Sequence, residues 1–274
     1  MMDPRITPAN ERVAAMYLKG KVKSKSFSNG VIKECSSGVV DLLSSPEGDR
    51  VSQLFLGDRV RVFENVKGFA YVQVEKDNYC GYVNGNSLRP QSNITHWVSV
   101  SGSTLYFEDN FKKKEISELY LGGMVEVKND DGVWAELTNG GFIPSCHLKK
   151  LKTKLSDYIN VSKLFLNTPY LWGGCSRKGV DCSGLVQTAL HSCGISCPRD
   201  TDMQEFLVGK RINVQDAEKG DLVFWKGHVG ILSEKNILLH ANAFHMSVVE
   251  EDFQSAKNRI EDSKGGKITT VRRL

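Results

Sequence analysis

Three residues in the C-terminal half of the chain, Cys182, His228 and His240, are of types that can carry nucleophilic catalysis. Cys182 follows a glycine-rich loop and opens a segment with apolar residues at helical spacing, so we predict that a helix begins there. A thiol at a helix N-terminus feels the positive end of the helix dipole, which favours the thiolate. The thiolate is the form that attacks a carbonyl carbon, so this position suits a nucleophile. The competing interpretation is a buried structural cysteine.

His228 and His240 lie on two predicted neighbouring strands and can supply the base that a cysteine nucleophile needs. They face each other directly if the loop between the strands has an odd number of residues, as a three-residue loop over 233–235 would. A two-residue turn would put them on opposite faces of the sheet. If they share a face, His228 can deprotonate Cys182 while His240 orients its imidazole.

The elements that must position these residues form an α+β unit in the C-terminal region. The spacing of apolar residues predicts a helix over 154–166, with Ser156 as a possible N-cap, and a second helix over 182–194. Strand patterns follow at 221–225, 228–232 and 237–240. Helices followed by an antiparallel meander are typical of the α+β class.

The N-terminal half contains an internal repeat. Leu54-Phe55-Leu56-Gly57 recurs as Leu119-Tyr120-Leu121-Gly122, and further pairs keep this spacing before one hairpin shortens it. Short alternating strands between turn residues predict a small β-barrel in each copy. We therefore predict an N-terminal extension (1–29), two small barrels (30–92 and 93–150) and a C-terminal catalytic domain (151–274).

Composition argues against several functional classes. The net charge of +4 is spread over scattered lysines and arginines, so we expect no nucleic-acid partner. No run approaches the roughly 18 apolar residues of a membrane span, and no secretory leader is visible, so we expect a cytoplasmic protein. Seven cysteines are an odd and sparse set, which favours reduced thiols. We expect neither a metal nor a cofactor.

Four motifs in the C-terminal region resemble those of the NlpC/p60 family of cysteine peptidases. They are the segments 181–186, 198–204, 220–224 and 228–231, which occur in the family's order. The resemblance implies a papain-like fold in which Cys182 is the nucleophile, His228 the base and His240 the third polar residue. The two N-terminal copies resemble bacterial SH3-like domains.

This domain combination resembles the cytosolic members of the family that recycle murein peptides. The resemblance implies cleavage of the γ-D-glutamyl–diamino acid (meso-diaminopimelate) bond in cell-wall peptides with a free N-terminal L-Ala. It also implies that the first SH3-like domain contacts the catalytic cleft. The substrate-binding residues expected from the two domains are Tyr170 and Trp172 as an aromatic wall, Asp181 for the substrate ammonium, Ser183 and Thr201 for polar groups, and Tyr79 from a hairpin tip of the first barrel.

Two other functions stay open at this point. The same three catalytic residues could serve a papain-like amidase or acyltransferase. The barrels could instead make the chain a non-catalytic protein that binds cell-wall peptides, although the presence of all three catalytic residues argues against that.

Overall fold

The computed structural model describes residues 2–263 and 265–274. The chain divides into two compact units, of which the first ends at Lys152 and the second spans Thr153–Leu274. This division lies two residues after the start of the catalytic domain that the sequence predicts.

The first unit is built from short strands, as the turn spacing predicts. In its described part, β1 (Val13–Ala15) and β2 (Ser26–Ser28) precede the repeat. The first copy contains β3 (Val31–Cys35), β4 (Val39–Leu43), β5 (Arg50–Phe55), β6 (Arg59–Val66), β7 (Phe69–Val74), β8 (Cys80–Asn84) and β9 (Leu88–Arg89). The second copy contains β10 (His96–Val98), β11 (Gly102–Tyr106), β12 (Glu115–Tyr120), β13 (Met124–Val125), β14 (Val127–Asp130), β15 (Trp134–Leu137), β16 (Phe142–Pro144) and β17 (Leu148–Lys150).

The two copies share their irregularities as well as their strand order. A β-bulge shifts the β6–β7 register between Val62 and Glu64, and one shifts the β14–β15 register between Val127 and Asn129, at the sequence offset of the repeat. A second bulge also recurs, between β4 and β5 in the first copy and between β11 and β12 in the second. A 3₁₀ turn precedes the last strand in both, at Gly85–Ser87 and Ser145–His147. Bulges re-aim side chains and are specific features of a fold, so their recurrence confirms the repeat.

The first copy forms a seven-stranded sheet, in the order β5-β4-β8-β7-β6-β3-β9, around an apolar core. Tyr79 lies in this core with Leu54, Val72 and Val83, and only 4% of it is exposed. The expectation that Tyr79 projects from a hairpin tip to meet substrate is therefore wrong. A tyrosine ring buries a large apolar area, and here that burial stabilises the barrel.

The second copy encloses a smaller core between two sheets. Their strand orders are β12-β11-β16-β15-β14 and β13-β10-β17. The core residues alternate with outward-facing ones along each strand, as a half-buried sheet requires. They are Leu56, Val98, Leu105, Leu119, Val125, Ala135, Leu137 and Ile143.

The N-terminal extension is folded onto the first copy. Its strands β1 and β2 pair in parallel with each other, and a 3₁₀ turn, Met16–Leu18, follows β1. Val13, Ala15 and Leu18 pack against the outward-facing rings of the first barrel. Without this cover, those rings would form an exposed apolar patch.

The second unit has four helices and an antiparallel sheet in its described residues, which confirms the α+β class. The helices are α1 (Tyr158–Lys163), α2 (Cys182–Ser192), α3 (Thr201–Leu207) and α4 (Phe253–Glu261). The strands are β18 (Cys175–Ser176), β19 (Gly179–Val180), β20 (Lys210–Ile212), β21 (Leu222–Trp225), β22 (His228–Glu234), β23 (Ile237–Asn242), β24 (Ser247–Asp252) and β25 (Thr270–Arg273). Six strands form the main sheet, in the order β20-β25-β21-β22-β23-β24.

Helices cover both faces of this sheet. Helix α2 packs on the face that presents Leu222, Phe224, Val229 and Ile231. The other face presents Val223, Trp225, Leu232 and Leu238 to Ala256 and Ile260 of helix α4. Helix α2 is buried over almost its whole length, so its N-terminal residues are held firmly against the sheet.

Helix α1 is shorter than predicted, and its N-cap is different. It begins after Asp157, whose carboxylate accepts hydrogen bonds from the backbone N–H groups of Ile159 and Asn160. Ser156 is therefore not the cap. A carboxylate at this position satisfies two N–H groups that the helix leaves without partners.

Among the helices of the described residues, none combines the length and apolarity needed to cross a bilayer.

Candidate active site

Cys182 is the first residue of helix α2, as the sequence predicts. Asp181 caps the helix, and its carboxylate accepts a hydrogen bond of 2.7 Å from the N–H of Gly184. The Cys182 Sγ lies 3.8 Å from the Thr201 Oγ1 at the start of helix α3. The backbone N–H of Val229, the residue that follows His228 on β22, is near enough to lower the pKa of the Cys182 thiol. The nucleophile therefore lies between the N-termini of helices α2 and α3, beside strand β22, which carries His228.

Burial dominates the protonation state of Cys182, of which 5% is exposed. Burial and the nearby charge of Asp181 raise the pKa of the thiol to about 11, although Thr201 and the N–H groups of Val229 and Ser183 act in the opposite direction. The expected lowering of this pKa at the helix N-terminus is therefore outweighed by loss of solvation. In the resting protein Cys182 is a neutral thiol that needs a base.

His228 and His240 contact each other, but not through the predicted loop. The connection between β22 and β23 is a two-residue turn, which by itself would separate the two side chains onto opposite faces. A β-bulge between Leu232 and Glu234 shifts the register by one residue and restores a shared face. The His228 Nε2 lies 2.8 Å from the His240 Nδ1. The predicted three-residue loop and the direct cross-strand pairing of His228 with His240 are wrong, whereas the two imidazoles share a face and are in contact, as predicted.

Gly230 makes this diagonal contact possible. Continuing the observed register places Gly230 opposite His240, and a Cβ at Gly230 would lie 3.2 Å from the His240 Cβ and 2.7 Å from a methyl of Leu238. The missing side chain leaves room for the two rings to meet. Glycine in a strand often marks such a close approach.

Glu251 extends the histidine pair by one more member. Its Oε1 lies 2.7 Å from the His240 Nε2, and it also pairs with Arg259 of helix α4. Although burial raises the pKa of Glu251, the hydrogen bonds from His240 and Arg259 lower it to about 2. A carboxylate only accepts, so His240 carries its proton on Nε2. The His240 Nδ1 then accepts from the His228 Nε2–H, which leaves the His228 Nδ1 as the free basic nitrogen.

His228 is neutral in the resting structure. Burial, helped by the nearby His240, lowers its pKa to about 3. Burial also lowers the pKa of His240, in spite of its hydrogen bond to Glu251. The Cys182 thiol and the His228 imidazole are therefore both neutral, and nucleophilic attack requires transfer of the thiol proton to a base.

Asp181 does not have a free carboxylate for a substrate ammonium. Arg199, of which 1% is exposed, approaches it with both terminal nitrogens, at 3.0 and 2.7 Å. The backbone N–H groups of Gly173 and Gly184 donate to the same carboxylate. The Ser183 hydroxyl also donates to it, and its oxygen accepts a hydrogen bond from Arg199. With four strong donors, the lone pairs of this carboxylate are occupied. The prediction that Asp181 and Ser183 hold substrate is therefore corrected, because both hold the start of helix α2.

The three remaining predicted residues differ in their distance from the nucleophile. Thr201 is a direct neighbour of Cys182. Tyr170 is partly buried, and burial together with the charge of Asp181 raises its pKa, which keeps the phenol protonated as a hydrogen-bond donor. Trp172 lies on the surface, with 67% of it exposed. An exposed ring fits a rim that a substrate could cover, and its role in binding stays a prediction.

The most important residues that the sequence did not reveal are Glu251, Arg259 and Arg199. Glu251 lies in an acidic run that masks strand β24, so neither the strand nor its contact with His240 was visible. Arg199 occurs inside the motif 198–204, but its burial depends on Asp181 at the start of helix α2. Arg199 directly precedes the N-cap of helix α3, and Asp181 is the N-cap of helix α2. Opposite charges at two helix starts are the sequence signal that could have suggested this ion pair.

A cysteine at a helix start, with a His–His–Glu chain on the adjoining strands of an antiparallel sheet, defines a cysteine peptidase of papain-like fold. The model of the NlpC/P60 family matches residues 167–260, and that of the bacterial dipeptidyl-peptidase Sh3 domain matches residues 42–88. A probable endopeptidase NlpC of Escherichia coli is 33% identical over 107 residues, which cover 36% of this chain and 69% of that protein. The chain therefore belongs to the NlpC/P60 family.

Other known proteins are similar to this chain in sequence or in fold. The γ-D-glutamyl-L-lysine dipeptidyl-peptidases of Bacillus cereus and Bacillus subtilis are 32% and 30% identical over 126 and 159 residues, or 46% and 53% of this chain. Those alignments span 37% and 53% of the relatives' own lengths. A crystal structure of an NlpC/P60 family protein from Bacillus cereus matches 89% of this chain and 99% of its own, with a TM-score of 0.73 at 21% identity. This structure supports the fold.

Proposed function

We propose that the chain is a cysteine peptidase that hydrolyses the γ-D-glutamyl–diamino acid bond of cell-wall peptides, preferentially those with a free N-terminal L-Ala. The observation that carries the proposal is the hydrogen-bonded chain His228–His240–Glu251 on the strands beside Cys182. The names of the Bacillus relatives, γ-D-glutamyl-L-lysine dipeptidyl-peptidases, support the choice of bond. Recycling of such peptides in the cytoplasm, and a contact of the first SH3-like domain with the cleft, belong to the same proposal.

Catalysis begins with proton transfer from Cys182. Its Sγ attacks the γ-carbonyl carbon of the D-glutamyl residue, and the proton passes to the His228 Nδ1. The resulting imidazolium keeps its Nε2–H on the His240 Nδ1, and the Glu251 carboxylate holds His240 in the tautomer that can accept it. Glu251 thus acts on the base through His240 and does not touch the reacting atoms.

The tetrahedral intermediate carries an oxyanion that needs hydrogen-bond donors. We assign the Tyr170 hydroxyl as the side-chain donor, because Tyr170 forms a parallel bridge with Val180, two residues before Cys182, and burial keeps its phenol protonated. The intermediate collapses as His228 gives its proton to the amine of the diamino acid, which leaves. Water deprotonated by His228 then hydrolyses the thioester on Cys182 and releases the L-Ala-D-Glu portion.

A small panel of peptides tests this function. L-Ala-γ-D-Glu-meso-diaminopimelate, its L-Lys analogue and the N-acetylated form of each are incubated with the protein, and the products are resolved by mass spectrometry. We expect cleavage after the D-glutamyl γ-carbonyl, with kcat/KM lower by about 100-fold for the acetylated forms, or roughly 2.7 kcal/mol.

The panel also separates the alternatives. Equal rates for free and acetylated peptides would contradict the amine preference but leave the peptidase activity. Transfer of the acyl group to an added amine in preference to water would instead show an acyltransferase.

A further inference from the structure

The two barrels of the repeat present equivalent outer faces. Across β4 and β8 of the first copy, Leu43 pairs with Tyr82, and across β11 and β16 of the second, Tyr106 pairs with Phe142. On the neighbouring pair of strands, Phe69 pairs with Asn84 across β7 and β8 of the first copy, and Trp134 pairs with Pro144 across β15 and β16 of the second. Since the bulges also coincide, a ligand of one face would meet the same backbone on the other.

In the first copy this face is occupied by the N-terminal extension. Val13, Ala15 and Leu18 pack on a set of rings that includes Tyr71 and Tyr82, of which 4% and 8% remain exposed. Val13 and Ala15, at alternate positions of strand β1, suit a flat aromatic surface, and Leu18 joins them from the 3₁₀ turn that follows.

Polar groups anchor the same segment at its start. The Arg12 Nη2 lies 2.6 Å from a carboxylate oxygen of Glu64 and 3.1 Å from the Tyr82 hydroxyl. Asn10 reaches the same two partners, at 2.9 and 3.2 Å. The first copy therefore shows what this face of the repeat binds, which is a basic residue followed by small apolar residues.

The second copy keeps an aromatic face but leaves it more open. Tyr106, Trp134 and Phe142 are each only partly buried, and the rings of Tyr106 and Trp134 meet edge to face at 5.6 Å. Cross-strand pairing and the period of two place these three rings on one side of the sheet. Tyr106, Trp134 and Phe142 form what we call the second aromatic face.

A carboxylate adjoins this face as well. The counterpart of Glu64 in the second copy is Asn129, and the carboxylate lies instead on the residue opposite it, Glu136, at the register position of Tyr71 and opposite Phe142. Glu136 pairs with Lys128 at 2.7 Å. The lysine side chain is 62% exposed, and such surface pairs exchange partners at little cost. A basic group of a ligand can therefore replace Lys128 at Glu136.

We propose that the second aromatic face binds an extended polypeptide segment of a partner protein, with a basic residue followed by small apolar residues. The residues of this chain that match that description, 12–18, are held on the first copy, so the occupant of the second copy comes from another polypeptide. The segment lies across the aromatic rings with its basic residue at Glu136. This interaction is independent of the peptidase activity.

Fluorescence anisotropy with a labelled peptide tests the proposal on the full chain. The probe has the sequence of residues 10–18, Asn-Glu-Arg-Val-Ala-Ala-Met-Tyr-Leu. We expect saturable binding that weakens at least tenfold in Trp134→Ala and in the charge reversal Glu136→Lys. Phe206→Ala, which removes an aromatic residue that is 83% exposed in the other unit, is the matched control and should bind as the unchanged protein does.

Several results would overturn this assignment. One is no saturable binding up to about 1 mM peptide, the weak end of measurable affinity. Another is binding that Trp134→Ala and Glu136→Lys leave unchanged, because the peptide would then exchange with the extension on the first copy. A third is loss of peptide binding when a soluble N-acetylglucosamine oligomer saturates the same face, which would assign the face to glycan. Glu136→Lys changes only a surface side chain, so its result stands even if Trp134→Ala impairs folding.

Discussion

His228 and His240 meet along a diagonal of strands β22 and β23, at 2.8 Å between Nε2 and Nδ1, and do not lie directly opposite each other. The residue opposite His240 is Gly230, which has no side chain to separate the two rings. The bulge after Leu232 sets this register. The orientation of the catalytic base therefore depends on one bulge and one glycine.

Replacing that glycine tests the diagonal contact. In Gly230→Ala the new Cβ would meet Leu238 and the His240 Cβ, so the His240 ring must move. We expect overpacking to lower the stability by about 1–3 kcal/mol, and we expect turnover to slow by about 100-fold or more because the base is displaced. Gly81→Ala is the control, because its Cβ would meet Leu42 at 2.7 Å in the first barrel. It should lower the Tm while the folded protein keeps its turnover rate.

Removing the charge of Glu251 tests its role as a positioning residue. Glu251→Gln can donate to His240, which permits the wrong tautomer, so we expect kcat to fall about tenfold to 100-fold with little change in KM. Glu234→Gln, in a surface ion pair with Lys219, is the matched control. Equal activity of Glu251→Gln and the unchanged protein would show that His240 needs no carboxylate.

The same carboxylate gives stability a specific dependence on pH. The pKa of Glu251 is about 2 in the folded protein, against 4.5 for an ordinary glutamate, so its contribution is fully present above pH 4.5. That contribution is lost as the pH falls from about 4.5 to about 2. Urea unfolding of the unchanged protein and of Glu251→Gln over this range should give curves that converge as the pH falls. Parallel curves would contradict the lowered pKa.

The protonation state of the nucleophile can be measured directly. Because burial raises the pKa of Cys182, we expect its alkylation by iodoacetamide to keep accelerating above about pH 9 in the substrate-free protein. Peptide mass spectrometry distinguishes Cys182 from the exposed Cys146, which serves as the internal control. A rate for Cys182 that levels off near neutral pH would reveal a thiolate–imidazolium pair instead.

The buried pair of Asp181 and Arg199 should be essential for stability. Arg199→Met leaves a buried carboxylate without its partner, which costs about 3–5 kcal/mol. Arg199→Lys keeps the charge but loses the two-pronged geometry, so we expect an intermediate loss. Urea denaturation measures both, and a loss below about 1 kcal/mol in Arg199→Met would show that the pair does not secure the start of helix α2.

The sequence was most informative where a pattern is local. Helix α2 and the copies of the repeat follow from periodicity and spacing within short segments, and both are confirmed. The histidine register was not predictable in the same way, because a bulge and a two-residue turn compensate each other. Tyr79 shows a related limit, since a tyrosine next to turn residues reads as a surface residue until the barrel closes over it.

The interpretation of Asp181 failed for a different reason. A carboxylate beside a nucleophile suits an ammonium, but Arg199 lies 18 positions away and reaches it only in the folded unit. The role of Glu251 was not predicted, because its contacts join strand β24 to His240 on strand β23 and to Arg259 on helix α4. Contacts between distant residues, rather than the residue types, separate the roles of these carboxylates.

The proposed function requires that Cys182, activated by His228, cleaves the γ-D-glutamyl–diamino acid bond. The most direct test compares the unchanged protein with Cys182→Ala and His228→Ala on L-Ala-γ-D-Glu-diaminopimelate, with free diaminopimelate measured over time. We expect release of diaminopimelate by the unchanged protein and a fall in kcat/KM on the order of 10⁴ or more in both variants. Release by Cys182→Ala within tenfold of the unchanged protein, or no release by the unchanged protein, would contradict it.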